Sequence, residues 1–389
     1  MSDLLHAADN RRALLGLLDL SAAFDCVDHD ILLQRLRTAF GINGLALEWV
    51  RSFLVQRTQR VNFGGRLSSI GYLICGVPQG SVLGPLLFLL YTAELFNIVA
   101  ECGLSAHTYA DDTQVYLSVP AAEASTAVQR FAVCVGRIET WMGSNRLKLN
   151  ADKTQVIWVG TRQQLSKVDI KELQLLSARV VFSDAVSDLG VTIDSQLNMS
   201  AHVAAVSRSC FFQLRQLRII RDSLSLDAAK TLVNAFVGSR LDYCNSLLAG
   251  ATGVLLTKLQ SIQNAAARLI TRTRKFDSIT PVLRDLHWLP IRRRIEFKIA
   301  TLVYKCLNGL APPYLADDCI LVSTVPGRRH LRSADTRKLC VPLTNTNYGS
   351  RTFAVCGPTI WNGLPDDLRT VDNSLLTFRR KLKTYLFGV

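Results

Sequence analysis

An apolar run over residues 14–18 ends at Asp19, gives way to SAAFDCVDHD, and passes into helical spacing through Leu32, Leu33, Leu36 and Phe40. That order predicts a buried strand delivering a carboxylate at its end, then a helix. Residues 45–63 form a second amphipathic segment, with Leu47, Val50, Phe53 and Leu54 apolar and Arg51, Arg57 and Arg60 along its edge. Strand-like alternation continues to Cys75. The loop Gly76-Val77-Pro78-Gln79-Gly80 then opens an apolar stretch, 82–100, that reads as one long buried helix with Pro85 near its first turn. Glu94 and Pro85 inside it argue against a membrane span.

From Ser105, SAHTYADDTQVYLSV predicts two short strands meeting in a tight turn at Asp111-Asp112. A helix over 121–144 carries Val128, Phe131, Val135, Ile138 and Trp141 at helical spacing. LKLNADKTQVIWVG then reads as a strand pair bracketing Asn150-Ala151-Asp152-Lys153. The order suits a small mixed sheet with helices on one face. Beyond residue 200 the pattern is helical. Residues 256–275 place Leu259, Ile262, Ala266, Leu269 and Ile270 on one stripe. Arg268, Arg272, Arg274 and Lys275 gather at its C-terminal end, where the helix dipole favours cations. Residues 276–389 mix Pro-bearing loops with the clusters Arg292-Arg293-Arg294 and Arg328-Arg329.

Length and charge sharpen this division. A chain of 389 residues has room for two or three domains, and 49% apolar residues with a positive mean hydropathy predict sizeable cores. The net charge of +14 is confined to one half. Residues 1–200 hold 17 basic and 19 acidic residues, and 201–389 hold 28 and 12. A field of that sign favours polyanions, nucleic acid or an anionic membrane surface. No predicted helix there joins a continuous basic face to a wide apolar one, so no membrane partner is expected. The ten cysteines show no CxxC spacing and the first residues no signal-peptide core. Free thiols and an intracellular location, nucleus or cytoplasm rather than secretion, are the expectation.

The chemistry lies in the first half. Asp19 and Asp111-Asp112 are flanked by apolar residues, so gathering them costs repulsion and desolvation that divalent cations offset. Mg²⁺ takes carboxylates together with phosphate oxygens, and two such ions clamp an in-line displacement at phosphorus. Ordinary turn chemistry is the alternative for Asp111-Asp112 taken alone.

Four blocks occur in order: Asp19-Leu20-Ser21-Ala22-Ala23-Phe24-Asp25, Val77-Pro78-Gln79-Gly80-Ser81-Val82-Leu83-Gly84-Pro85, Tyr109-Ala110-Asp111-Asp112, and Lys148-Leu149-Asn150-Ala151-Asp152-Lys153-Thr154. With them the chain resembles a reverse transcriptase of a LINE-type (non-LTR) retrotransposon, the blocks being similar to palm motifs A to D. Asp188-Leu189-Gly190-Val191-Thr192-Ile193-Asp194 resembles the strand region that braces the primer end. Arg240-Leu241-Asp242-Tyr243-Cys244-Asn245, Leu286-His287-Trp288-Leu289-Pro290 and Tyr304-Lys305 resemble the thumb and C-terminal segment of LINE-2/CR1-like elements. The resemblance implies an α+β fold. A right-hand polymerase palm, a small antiparallel sheet with helices on one face, would occupy 1–200. A helical thumb-like region would follow over 201–279, and a basic C-terminal region over 280–389.

It also implies roles. Asp19 and Asp111 would bridge two Mg²⁺ ions (Mn²⁺ as substitute), Asp112 would complete the cluster and Leu20 would lend a carbonyl. Phe24 would lie under the incoming sugar and exclude a 2′-OH; a plain core phenylalanine is the alternative. Gln79 would lie over the incoming dNTP, with Gly80 allowing close approach. Lys153 would protonate the leaving pyrophosphate or stabilise its charge. Arg268, Arg272, Arg274, Lys275 and Arg292, Arg293, Arg294 would contact the phosphates of an RNA template and DNA primer. Trp288, Tyr304, Tyr314 and Trp361 would stack on bases or lie in the core. His202, His287 and His330 read as structural.

Only 18 residues precede Asp19, fewer than a fingers subdomain or an endonuclease domain needs, so both are expected to be absent. Phosphoryl transfer depends on positioning, so this polypeptide alone is expected to be weakly active or inactive. Two further readings remain. One is a nucleic-acid-binding remnant without catalysis. The other is an RNA-dependent RNA polymerase, against which Phe24 and Tyr109-Ala110-Asp111-Asp112 speak.

Overall fold

Residues 14–18 become the middle of a strand because they can be buried on both faces, and the sheet forms around them. The computed structural model describes residues 1–10, 12–175, 178–325, 336–370 and 374–388. Arg328-Arg329 and His330 therefore lie outside the described residues. The chain divides into two compact units, Arg11–Val186 and Met1–Asn10 with Ser187–Val389. The division thus falls earlier than the expected boundary at 200, and it assigns the first helix, α1 (Ser2–Asn10), to the second unit.

In the first unit, β1 (Arg12–Leu20) leads through a 3₁₀ turn (Ala23–Cys26) into α2 (His29–Thr38) and α3 (Gly44–Leu54). Asp28 caps α2, accepting from the backbone N–H groups of Asp30 and Ile31. Two small ribbons follow: β2 (Arg57–Gln59) pairs with β5 (Gly71–Leu73), and β3 (Asn62–Phe63) with β4 (Arg66–Leu67). The apolar stretch 83–101 has the length and composition to cross a membrane. It folds instead as two helices, α4 (Leu83–Thr92) and α5 (Leu95–Glu101), because the chain turns at Ala93-Glu94. Leu87, Phe88, Tyr91, Leu95 and Val99 enter the core.

Next come β6 (Ser105–Tyr109), β7 (Asp112–Val119), α6 (Ala124–Ser144) and β8 (Leu149–Val159). The sheet order is β6-β7-β1-β8 and every pairing is antiparallel. The sheet is therefore present and antiparallel, as the resemblance implies, rather than mixed as the element order alone suggests. Phe131, Val135 and Ile138 of α6 share a core with Leu14, Leu18, Val115, Leu117 and Val156. Gly16 sits where a Cβ would lie 2.2 Å from the Phe131 ring, so a glycine inside the apolar run is what lets α6 close on the sheet.

One expectation fails here. Residues 149–159 form a single strand, not a pair. Leu17 pairs with Gln155 and Asp19 with Asn150, so Ala151 to Thr154 bulge out of β8 without reversing the chain. Thr154 closes the bulge by donating to the Asn150 carbonyl at 2.9 Å. The unit ends with α7 (Arg162–Leu165), the pair β9 (Glu172–Leu175) and β10 (Ala178–Val181), and the start of β11 (Ala185–Asp188), which pairs with β12 (Val191–Asp194).

The second unit is helical: α8 (Ser200–Ile220), α9 (Leu226–Val233), a π-helical turn (Asn234–Gly238), α10 (Ser239–Asp242), α11 (Gly253–Thr271), α12 (Ile279–Asp285), α13 (Ile291–Leu307), α14 (Pro313–Ala316), α15 (Asn347–Ser350), α16 (Phe353–Asn362) and α17 (Leu375–Gly388). The expected boundary at 279/280 is bridged. Gln263 donates to the Leu289 carbonyl, Ile291 N–H donates to Gln260, and Arg294 holds Asp242. Helix α1 is tied in by Asp9, whose carboxylate accepts from the N–H groups of Asn345, Thr346 and Gly349 and from the Thr346 hydroxyl. Tyr304 and Trp361 are core residues packed on Phe378, which decides against a stacking role for these two aromatics.

Candidate active site

The open edge of the first unit's sheet is built from the ends of β1 and β7. Leu14, Leu18 and Leu20 face α6, so alternation turns Asp19 to the opposite face. The last paired residues are Leu18 and Thr113. One step further, the antiparallel register sets Asp19 across from Asp112. The hairpin that brings Asp112 there has Ala110 at φ 55, a left-handed position held by a non-glycine residue at the tip. Asp111 completes that tip and is half-buried; Asp112 is exposed.

Asp19 Oδ2 is buried and accepts no hydrogen bond among the described residues. A carboxylate oxygen out of water and without a donor is costly, and the bulge of β8 supplies a counter-charge. Lys153 Nζ stands 3.7 Å from Asp19 Oδ2. The bulge thus carries the lysine back over the carboxylate, a placement that a strand pair would not give. Asp19, Asp111 and Asp112 are set at one edge of the sheet. Among the described residues, however, no group of three His, Cys, Asp or Glu side chains is drawn close enough to hold a metal ion. The bare Asp19 oxygen is nevertheless the feature a cation fits. Leu20, with its side chain in the core, has its backbone as the part able to reach a ligand.

The Gly76–Gly80 loop is locked onto the turn after Asp19. Gly76 N–H donates to the Val27 carbonyl at 2.8 Å and Val77 N–H to the Phe24 carbonyl at 2.9 Å. Gly76 has φ +86, and a Cβ there would lie 2.9 Å from the Asp25 carbonyl oxygen, so only glycine fits. Its own carbonyl is held by His29 Nε2 at 2.9 Å and by Arg57 at 3.1 Å. His29 and Arg57 are positioning residues that the sequence pattern does not mark. Phe24 stacks on Phe88 with centroids 5.0 Å apart, so its ring is fixed from below by α4. Gln79 is exposed, and Gly80, at φ +81, has open space around its α-carbon. Ser81 accepts from Gly84 N–H and donates to the Pro78 carbonyl, starting α4 immediately after the loop.

In the second unit, α11 ends at Thr271, with Arg272 left-handed at φ 60, so Arg272, Arg274 and Lys275 lie beyond the helix rather than in its last turn. Arg268 bonds the carbonyls of Arg274 and Asp277, Arg272 pairs with Asp222 at 2.8 Å, Arg293 with Glu296 at 2.6 Å and Arg294 with Asp242 at 2.9 Å. Arg274, Lys275 and Arg292 are exposed. Arg218, which sequence reasoning missed, lines with Arg268, Arg272 and Lys275 a cleft of about 620 Å³ between α8 and α11. His202 is buried and donates no charge to this surface; burial lowers its pKa.

A four-stranded antiparallel sheet with carboxylates near the end of β1 and at the start of β7 defines a palm-like domain. Residues 4–193 match the family described as "Reverse transcriptase (RNA-dependent DNA polymerase)". They carry a reverse transcriptase domain of the non-LTR retrotransposon kind. The chain is 28% identical over 288 residues to the "Probable RNA-directed DNA polymerase from transposon BS" of Drosophila melanogaster, a match covering 72% of this chain and 31% of that protein. It is 26% identical over 292 residues to the "RNA-directed DNA polymerase from mobile element jockey" of the same organism, with the same coverage. The chain thus spans about a third of the length of these curated relatives. Among solved structures, the apo telomerase of Candida tropicalis is similar at a TM-score of 0.39 and 12% identity, over 80% of this chain and 54% of that one.

Proposed function

We propose that the chain extends a DNA primer on an RNA template by metal-assisted transfer of dNTPs, and that its element is LINE-2/CR1-like. The observation that carries the reading is the buried, unbonded Asp19 oxygen at the sheet edge that the Asp111-Asp112 hairpin reaches. Asp19, Asp111 and Asp112, with the Leu20 carbonyl, would hold two Mg²⁺ ions, or Mn²⁺. Such ions activate the primer 3′-OH and neutralise charge on the phosphates. The protein's own groups do the rest. Phe24, held by Phe88, lies under the sugar and leaves no room for a 2′-OH. Gln79 and the open Gly80 meet the nucleotide from the loop pinned by Gly76. Lys153, already beside Asp19, gives its proton or its charge to the leaving pyrophosphate.

Arg218, Arg274, Lys275 and Arg292 hold phosphates of the template–primer duplex, with Arg268, Arg272, Arg293 and Arg294 shaping the surface that presents them. The LINE-2/CR1 assignment is supported by Leu286-His287-Trp288-Leu289-Pro290 and its companion words. Ten free cysteines suit a reducing compartment, nucleus or cytoplasm.

The test is primer extension on an RNA template by the native protein and Asp111→Asn, with duplex binding measured in parallel. Weak dNTP incorporation that Asp111→Asn abolishes without loss of binding is the expected result. Equal binding and no extension by either protein would overturn the catalytic reading in favour of a binding module.

A further inference from the structure

The second unit contains a cavity of about 880 Å³ unrelated to the carboxylate site. Helix α13 supplies Phe297 and Lys298 to it, and α17 supplies Arg379, Arg380 and Lys383. Helix α17 turns Phe378, Leu382 and Leu386 into the core, so its spacing sends these cations to the cavity side. Among the described residues neither Lys298, Arg380 nor Lys383 has an acidic partner, and Arg379 lies over the Phe297 ring, 5.9 Å from its centroid. Asp242, the one carboxylate among the described residues of the wall, is taken by Arg294, which also lies 5.7 Å from the Trp288 ring centroid.

Two features show that the cavity is more than a basic patch. Asn245 is 5% exposed and lines it, yet among the described residues its Oδ1 has no hydrogen-bond partner. A buried amide end without a partner is unusual and costs about 1–3 kcal/mol. The wall also includes Asn234 and Gly238 of the π-helical turn Asn234–Gly238, inserted between α9 and α10. Single π turns inside α-helices are costly and concentrate at binding sites.

We propose that this cavity binds one unpaired nucleotide of a single-stranded nucleic acid. Its base lies by the Trp288 ring, with the Asn245 amide turning to offer its covered Oδ1 to a base N–H. The flanking phosphates meet Lys298, Arg379, Arg380 and Lys383. A flat ring with a hydrogen-bonding edge and anionic neighbours is the ligand that uses all three elements at once. A duplex hides its base edges and would use the cations alone. An acidic peptide would leave the ring and the amide unused. The inference rests on the reading that this basic unit holds nucleic acid, but not on catalysis.

The experiment measures binding of labelled 12-nucleotide RNA, DNA of the same sequence and a 12-base-pair duplex to the full chain and to R380Q/K383Q. Single-strand affinity should fall about tenfold and its salt slope by about 1.4, two contacts at about 0.7 each, with duplex affinity within about twofold. Single strands should also quench tryptophan fluorescence in the native chain and not in W288F. RNA favoured over DNA would identify RNA as the physiological strand, and equal binding would extend the site to both. Unchanged single-strand affinity in R380Q/K383Q, an equal loss for the duplex, or displacement by poly-glutamate as readily as by RNA would each overturn the proposal. Duplex binding that stays intact while single-strand selectivity is absent would sink this site and leave the polymerase reading standing.

Discussion

Lys153 Nζ lies 3.7 Å from Asp19 Oδ2, across a bulge that breaks the β8 ladder at the level of the carboxylate. Although Asp19 Oδ2 itself is covered, the Asp19 side chain is 34% and Lys153 70% exposed, so the pair is a weak contributor to stability. Its use is in the site. Lys153→Gln should slow nucleotide addition by roughly 10²-fold, the low end of general-acid effects, with duplex affinity unchanged. Single-turnover extension beside a binding titration checks it; an equal loss in both would make Lys153 a phosphate contact instead.

Phe24 is fixed by Phe88 at 5.0 Å, so its ring cannot swing aside for a bulkier sugar. Phe24→Val should raise incorporation of ribonucleotides relative to deoxynucleotides by at least about tenfold, equivalent to about 1.4 kcal/mol of lost discrimination. Competitive incorporation of dNTP against NTP gives the ratio directly. An unchanged ratio would reduce Phe24 to a core residue.

Gly76→Ala puts a methyl group against the Asp25 carbonyl oxygen at a φ of +86. Destabilisation of about 1–3 kcal/mol follows in urea unfolding. The loop that carries Gln79 should loosen with it, raising the KM for dNTP. Stability and KM that both stay at native values would show that the contacts with Phe24 and Val27 do not set the loop.

Asp9 is buried, which raises its carboxyl pKa, but bonds from Thr346, Asn345 and Gly349 outweigh burial and hold it below the usual value. Its contribution is therefore complete above the unfolded-state value, about pH 3.9, and is lost as pH falls through the lower folded-state value. Asp9→Asn should cost about 1–3 kcal/mol near pH 7. The gap between variant and native protein should close in acid below pH 4. A gap independent of pH would point to packing rather than charge.

The central parts of the fold are legible because they follow from periodicity. The buried strand ending at Asp19, the hairpin at Asp111-Asp112 and the helix packed by Phe131 and Val135 are each fixed by local spacing. The bulge at Ala151–Thr154 is not, because a bulge and a turn share the same polar residues and differ only in whether the chain reverses. Nor are His29 and Arg57 legible, since they act by holding a backbone carbonyl 47 and 19 residues away. The end of α11 is not legible either, because Arg272 takes a left-handed conformation without glycine. The tie from Asp9 to Thr346 spans 337 residues and leaves no local trace.

Divalent-cation binding at the sheet edge formed by Asp19 and the Asp111-Asp112 tip is tested most directly by Fe²⁺-directed backbone cleavage. With ascorbate and peroxide, Fe²⁺ in place of Mg²⁺ should cut the native chain near Asp19 and near Asp111. Excess Mg²⁺ should suppress both cuts, and Asp19→Asn should remove them. Cleavage absent from both segments, or present there and unaffected by Asp19→Asn, would contradict the account.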